Sequence, residues 1–315
     1  MDRRTLGTAL GALTIAAGSA WAAWGGAIDP PGRKGNPWTP GVPSAARYGS
    51  ARRIVSVNLG VDEILLSLLP PGRIAALTRL VDDPTISNVT DLARAVTDRV
   101  PQMDAERILA LEPDLLIAPP YARREVLGQL EDAGVEILRI PDCWTVDDIR
   151  THLRFLGEAL GVPDRAEELV REMDGVLEGV RARTEGRARP RVLFVGMNGD
   201  TMGKGTNFDL FVEAAGGINL AAEALIEGRK AIPVEQALAL DPDVILVSGY
   251  LGDRKARGME ARPDLADDPA WREAAAVRAG RVHVLSGANL LSTSHYVTRT
   301  AEEIARILHP ECYAP

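Results

Sequence analysis

From Arg53 onward the chain alternates short apolar runs with amphipathic stretches. Arg53-Ile54-Val55-Ser56-Val57 is compact and β-branched, which predicts a strand. Gly60 and Asp62 follow it, then the apolar helical run Glu63–Leu69, halted by Pro70-Pro71-Gly72. Arg73–Thr78 predicts a second strand. Farther on, Glu106–Leu111 has helical spacing at Ile108, Leu109 and Leu111, and Pro113 ends it. Leu115–Ala118 then reads as a buried strand, Glu125–Ala133 as a helix and Val135–Ile140 as a strand. Strands alternating with helices predict an α/β fold of mostly parallel sheet flanked by helices.

The pattern then recurs. Residues 106–121 (ERILALEPDLLIAPPY) align without gaps, at one constant offset, on residues 235–250 (EQALALDPDVILVSGY). Upstream, Arg53–Val57 corresponds to Arg191–Val195 at a slightly different offset. A repeat of helix, Pro-Asp, strand and Tyr predicts two similar lobes. Two helices lie between them. One starts at Thr145 with Asp148 three residues on, the spacing of a capping box. The other starts at Pro163 and runs to about Arg183, with Ala166, Leu169, Val170, Met173, Leu177 and Val180 on one face. At 1.5 Å per residue it measures about 31 Å, enough to join the lobes by a rod, so modest closure is expected around a ligand held between them. The expected divisions are 1–22, 23–51, a first lobe 52–144, a helical bridge 145–186 and a second lobe 187–315.

The N-terminal residues change the picture of location. Arg3 and Arg4 precede an apolar run from Leu6 to Ala17, and Ala20-Trp21-Ala22 offers small residues at a cleavage site. That order is a secretory signal, with an uncleaved anchor as its alternative. The paired arginines also suit twin-arginine export. No cysteine lies nearby to carry a lipid, so an exported, periplasmic protein without a lipid anchor is expected. Residues 24–50 are rich in Gly and Pro and read as a tether or surface strap, pinned by Trp38 and Tyr48. The net charge of −8 argues against nucleic acid as a partner.

An exported chain with two α/β lobes and one long joining helix resembles the class III substrate-binding proteins of ABC importers, which bind ferric siderophores, haem and vitamin B12. The segments that carry the resemblance are RIVSVNLGVDEILLSLL, DAERILALEPDLLIA, GVPDRAEEL and GKGTNFDLFVEAAGGINL. It implies a monomeric binder with no enzymatic activity and no resident cofactor, working with a permease and its ATPase. It also implies that one glutamate on each lobe docks on the permease. The matching residues are Glu106 and Glu235, which the repeat itself pairs; as helix N-terminal acids they also suit the helix dipole.

Ligands of open α/β sheets sit beyond the carboxyl ends of the strands. Candidates there are Asn58, Arg79, Tyr121 and Trp144 from the first lobe, and Met197, Asn198, Lys204, Tyr250, Arg254, His295 and Tyr296 from the second. Tyr121 and Tyr250 are repeat equivalents that would face each other. Arg79 and Arg254 would meet an anionic chelate or simply lie in solvent. His295 either reaches the cleft or caps the last helix. Haem binders of the family offer a tyrosine ahead of the first docking helix, where this chain has Thr97–Gln102. Vitamin B12 binders have aromatics there and after the second strand, where this chain has Arg79–Pro84. Elimination leaves a ferric siderophore or similar metal chelate as the expected ligand, with a corrinoid or haem as the alternatives.

Two rival chemistries are weaker. Asn198–Gly205 imitates a phosphate loop, but Asn198 replaces its first Gly, and Gly205 stands where Ser or Thr should follow Lys204. A zinc or manganese site needs several convergent His and carboxylates. Of His152, His283, His295 and His309, only His295 is placed for one. Cys143 and Cys312 would be able to bridge in an oxidising compartment, an alternative the sequence leaves open.

Overall fold

The computed structural model describes residues 46–101, 103–119, 121–140, 143–196, 199–249, 265 and 269–314. The expected signal at 1–22 and most of the strap, including Trp38, lie outside them. The strap's last residues are described: the Ala46 and Tyr48 N–H groups donate to Glu158 and Ala159 carbonyls at 2.7 and 2.8 Å, and the Tyr48 ring is buried.

The first half runs β1 (Ile54–Ser56), α1 (Leu59–Leu68), β2 (Ile74–Thr78), β3 (Asp98–Val100), α2 (Ala105–Leu109), β4 (Leu115–Ala118), α3 (Arg124–Asp132) and β5 (Glu136–Arg139). Two helices cross to the second half, α4 (Val146–Leu160) and α5 (Pro163–Thr184). The second half contains β6 (Arg191–Val195), β7 (Asp200–Met202), α6 (Asn207–Ala214), β8 (Ile218–Asn219), α7 (Leu220–Glu223), β9 (Arg229–Ala231) and α8 (Val234–Ala239). It continues with β10 (Val244–Ser248), α9 (Ala275–Arg278), β11 (Val282–Leu285), α10 (Gly287–Leu290) and α11 (Arg299–Leu308).

The strands form two separate parallel sheets, ordered β3-β2-β1-β4-β5 and β11-β10-β6-β8, plus an antiparallel ribbon of β7 and β9. The repeated Pro-Asp segments therefore lead into different sheets, through β4 and β10. The period of 2 decides the packing. Ile54, Leu115 and Ile117 of the first sheet and Val192, Phe194 and Leu246 of the second enter one shared core with α1, α4, α5, α6 and α11. Their neighbours Val55, Leu116 and Ala118 face a separate core under α2 and α3. Leu193, Val195 and Ile245 face a third under α7, α8 and α9. A core continuous across both halves makes the joint stiff.

The bridge matches its sequence pattern closely. Thr145 Oγ1 accepts from the Asp148 N–H at 3.1 Å, and Asp148 Oδ2 accepts from the Thr145 N–H at 3.0 Å, the reciprocal bonds of a capping box. In α5 the buried residues are Ala166, Leu169, Val170, Met173, Leu177, Val180 and Thr184. Cys143 and Cys312 are not joined by a disulfide; Cys143 packs beside Thr293, and Cys312 beside Glu311. No helix among the described residues is long and apolar enough to cross a membrane.

Candidate functional site

The parallel order β2-β1-β4 places the residues after these strands side by side along one sheet edge. After β1 the chain turns extended at Asn58 (φ −142°) and enters α1. Asn58 caps that helix: its Oδ1 accepts from the Val61 N–H at 3.1 Å, a bond worth about 1 kcal/mol. The amide nitrogen is then left to point outward and donates to Tyr121 Oη at 2.9 Å. Tyr121 follows β4 and is 46% exposed. Leu80, after β2, stands on the other side.

These residues form one wall of a pocket lined by Val57, Asn58, Leu59, Gly60, Glu63, Leu80, Tyr121, Leu291, Ser292 and Thr293. It holds about 440 Å³ of space, its open mouth included. The facing wall, Leu291–Thr293, belongs to the second half and follows α10. The two walls touch at Gly60, where a Cβ would stand 2.0 Å from Thr293 Oγ1, so only glycine lets the segments meet.

Glu63 sits where the walls join and is 1% exposed. Its Oε1 accepts from the Asn88 N–H at 2.9 Å and from Asn88 Nδ2 at 3.1 Å. Its Oε2 accepts from Ser292 Oγ at 2.7 Å and Ser294 Oγ at 2.5 Å. Burial raises the Glu63 pKa, and these bonds oppose the rise. Beside it, Asp62 is buried and pushed up to about 7 by desolvation, against bonds from the Thr78 N–H at 3.0 Å and Thr78 Oγ1 at 2.6 Å.

Of the residues singled out from sequence, Asn58 and Tyr121 line this pocket. Arg79 is exposed beside it, with no ion pair to another described residue. Trp144 is half-buried at the start of α4, its indole N–H without an acceptor among the described residues. Lys204 is exposed on the β7–β9 side, bridged through its backbone to Glu227. His295 neither lines the pocket nor caps the last helix. It is buried in a 3₁₀ turn, His295–Thr298, capped by Ser294, and desolvation lowers its pKa to about 4. Tyr296 turns away too: its Oη lies 3.4 Å from Ser67 Oγ, and Arg299 stacks 4.2 Å from its ring centre. Met197, Asn198, Tyr250 and Arg254 lie outside the described residues.

Sequence reasoning missed Glu63, Ser292 and Thr293. The available signal was an acid pair, Asp62-Glu63, opening the apolar helix ILLSLL, and the hydroxyl run Ser292-Thr293-Ser294 ahead of the last helix. Within the imitation phosphate loop Asp200–Met202 build β7 and Lys204 bridges Glu227 through its backbone, so the segment is spent on pairing before α6 opens at Asn207. Among the described residues no cluster of three His, Cys, Asp or Glu is placed to hold a metal ion.

Glu106 and Glu235 are exposed on the short helices α2 and α8. Each helix ends the same way. Glu112 and Asp241, both followed by proline, adopt left-handed φ values of 45° and 48°.

The family model for periplasmic binding proteins matches residues 54–288. The chain belongs to the periplasmic binding protein family. That family binds and does not catalyse, as the sequence led us to expect. Among curated proteins, this periplasmic binding protein is 24% identical over 220 residues to an uncharacterised ABC transporter substrate-binding lipoprotein of Bacillus subtilis, covering 67% of each chain. It is 32% identical over 155 residues to the vitamin B12-binding protein of Salmonella typhimurium, covering 48% of this chain and 57% of that one. The match thus spans little more than half of that relative's length. Among solved structures, the periplasmic heme-binding protein RhuT of Roseiflexus, in apo form, is 25% identical with a TM-score of 0.64, covering 83% of this chain and 99% of the other. The α/β fold with two parallel sheets is the family's own.

Proposed function

We propose that the chain is the exported substrate-binding component of an ABC importer, and that it captures a metal chelate in the pocket between its halves and delivers it to a permease with its ATPase. The observation that carries this reading is the pocket itself. One wall comes from the carboxyl edge of the first sheet and the other from a segment of the second half. A solute seated there touches both halves at once, the arrangement a capture protein needs. The signal-like residues 1–22 support export; the relative in Bacillus subtilis is a lipoprotein by name, whereas this chain has no cysteine before Cys143.

The lining favours a ligand of low net charge. Among the described lining residues Asn58, Tyr121, Ser292 and Thr293 offer hydroxyls and an amide, Leu59, Leu80 and Leu291 offer apolar surface, and the one charged group, Glu63, already holds four hydrogen bonds. A polyanionic ferric chelate calls for convergent Arg or Lys. A corrinoid, a macrocycle fringed with neutral amides, suits hydroxyl and amide partners better. Relatives named for vitamin B12 and cobalamin binding support the same choice. The corrinoid therefore stands ahead of the ferric siderophore that elimination among aromatics favoured. The exposed guanidinium of Arg79 beside the pocket supports the siderophore as the second reading.

Titrating the purified protein with cyanocobalamin, a ferric siderophore and hemin tests this order. Saturable one-to-one binding of cyanocobalamin is expected. Binding of the ferric chelate alone would reverse the choice of ligand and keep the carrier.

A further inference from the structure

The bonds around Glu63 span the molecule. Its donors Ser292 and Ser294 lie 229 and 231 positions away, in the segment that forms the second wall of the pocket. Asn88 strengthens the same joint: one Nδ2 group donates to Glu63 Oε1 at 3.1 Å and to the Ala288 carbonyl at 2.7 Å. The hydroxyl oxygens of Ser292 and Ser294 lie 2.9 Å apart, and with each proton given to Glu63 it is the carboxylate that holds the pair together. Apolar packing alone would hold these surfaces together. A buried carboxylate does something different: it fixes one geometry, because any shift of the 288–294 segment strips its donors and leaves a charge in a dry site.

We propose that Glu63 is a latch between the two halves of the protein: it holds the 288–294 segment against α1 and Asn88, sets the resting angle between the halves, and thereby fixes the width of the pocket. The latch regulates the pocket described above; its test needs no ligand, so it can fail while the carrier reading survives. The charged groups around the joint are Asp62 on α1, His295 in the turn after Ser294, and Arg165 and Arg299, which face His295. Arg165 also donates to the Ser67 carbonyl at the far end of α1, at 3.1 Å. None of these residues appears among the hydrogen-bond partners of the Glu63 carboxylate, which are serines and Asn88. The latch therefore depends on neutral donors, and removing them leaves Glu63 with no cation to fall back on.

The experiment is an interlobe distance measurement on the full chain without ligand. Cys143 and Cys312 are replaced by serine, and spin labels are placed at Arg124→Cys on α3 and Gln236→Cys on α8, both exposed. The parent should give a narrow distance distribution. Ser292→Ala with Ser294→Ala removes both donors of the second half; the distribution should broaden and its mean should shift, while far-UV circular dichroism stays that of the parent. A folded double variant with the parent's distribution would overturn the proposal. If that variant does not fold, Glu63→Gln decides, because the side chain keeps its shape and loses its charge. Broadening between parent and fully open supports the latch, and an unchanged distribution overturns it.

Discussion

Asp114 and Asp243 hold the same post in the two halves of the chain. Asp114 accepts from the backbone N–H groups of Arg52 and Arg53 at 2.7 and 3.0 Å, and Asp243 accepts from that of Arg191 at 2.8 Å. The arginines return the contact. Arg53 donates to the Leu111 and Glu112 carbonyls, and Arg191 to the Leu240 carbonyl. The first strand of each sheet is thus tied to the end of the helix that carries Glu106 or Glu235. Local chemistry repeated this closely explains why the duplicated segments keep Pro-Asp: proline stops the helix, and aspartate caps the neighbouring strand.

Removing that cap should loosen one half only. Asp114→Ala leaves the two backbone N–H groups just ahead of β1 without their acceptor, at a cost of about 1–3 kcal/mol. Urea unfolding should show the loss, and Asp243→Ala should cost less, since it accepts one such bond in place of two. Equal stability of parent and Asp114→Ala would contradict the assigned role.

We propose that Glu106 and Glu235 dock on the permease, as the family resemblance implies, and this proposal predicts a separation of phenotypes. Both side chains are exposed, so Glu106→Ala or Glu235→Ala should leave folding and cyanocobalamin affinity unchanged. Uptake in cells should fall sharply. Loss of ligand affinity in the purified variant would place the glutamates elsewhere in the mechanism.

Gly60 supplies a steric test of the pocket. A Cβ there would lie 2.0 Å from Thr293 Oγ1 and 3.1 Å from Thr293 Cβ. Gly60→Ala should push the Leu291–Thr293 wall away and weaken ligand binding by about tenfold, on the scale of 1.4 kcal/mol. Thr293→Gly in the same chain should restore part of it, because it removes both clashing atoms. Full affinity in Gly60→Ala would show that the ligand does not use this wall.

The acid response should come from buried groups pulling in opposite directions. His152 and His295 have pKa values lowered to about 4 by burial. Between about 6.5 and 4 the unfolded chain takes up protons that these native side chains refuse, so their contribution lowers stability as pH falls. Asp62, raised to about 7, does the reverse: the native state holds a proton that the unfolded chain releases above 3.8, so stability rises as pH falls from 7. One aspartate offsets only one of the two histidines between about pH 4.5 and 6, so a net fall in stability of about 1.4 kcal/mol per pH unit remains there. Asp62→Asn removes one side of the balance and should steepen the fall in stability by about 1.4 kcal/mol per pH unit in that window. Urea midpoints at several pH values read this directly, and identical slopes in parent and variant would refute it.

How much of this was legible in the sequence depended on range. The capping box at Thr145 and Asp148, the buried face of α5 from Ala166 to Val180, and the strands β4 and β10, one in each sheet, follow from residues a few positions apart, and local pattern reads them. Asn58 and Tyr121 were legible because each ends a strand, and parallel sheets bring such ends together. Glu63 was not, because an acid at the start of a helix ordinarily faces water. Its burial comes from Ser292 and Ser294, more than two hundred positions away, and no local pattern reports that. His295 failed for the same reason: its place ahead of the last helix suited the cleft, but packing against Tyr296 and the bridge buried it.

The most direct test of the central claim is the binding of cyanocobalamin to the purified chain, measured by calorimetry in the parent and in Tyr121→Ala. Saturable one-to-one binding that weakens on loss of the Tyr121 ring is the expected result. Failure of the parent to bind cyanocobalamin, a ferric siderophore or hemin, or binding indifferent to Tyr121, Ser292 and Thr293 alike, would contradict a carrier that holds its cargo in this pocket.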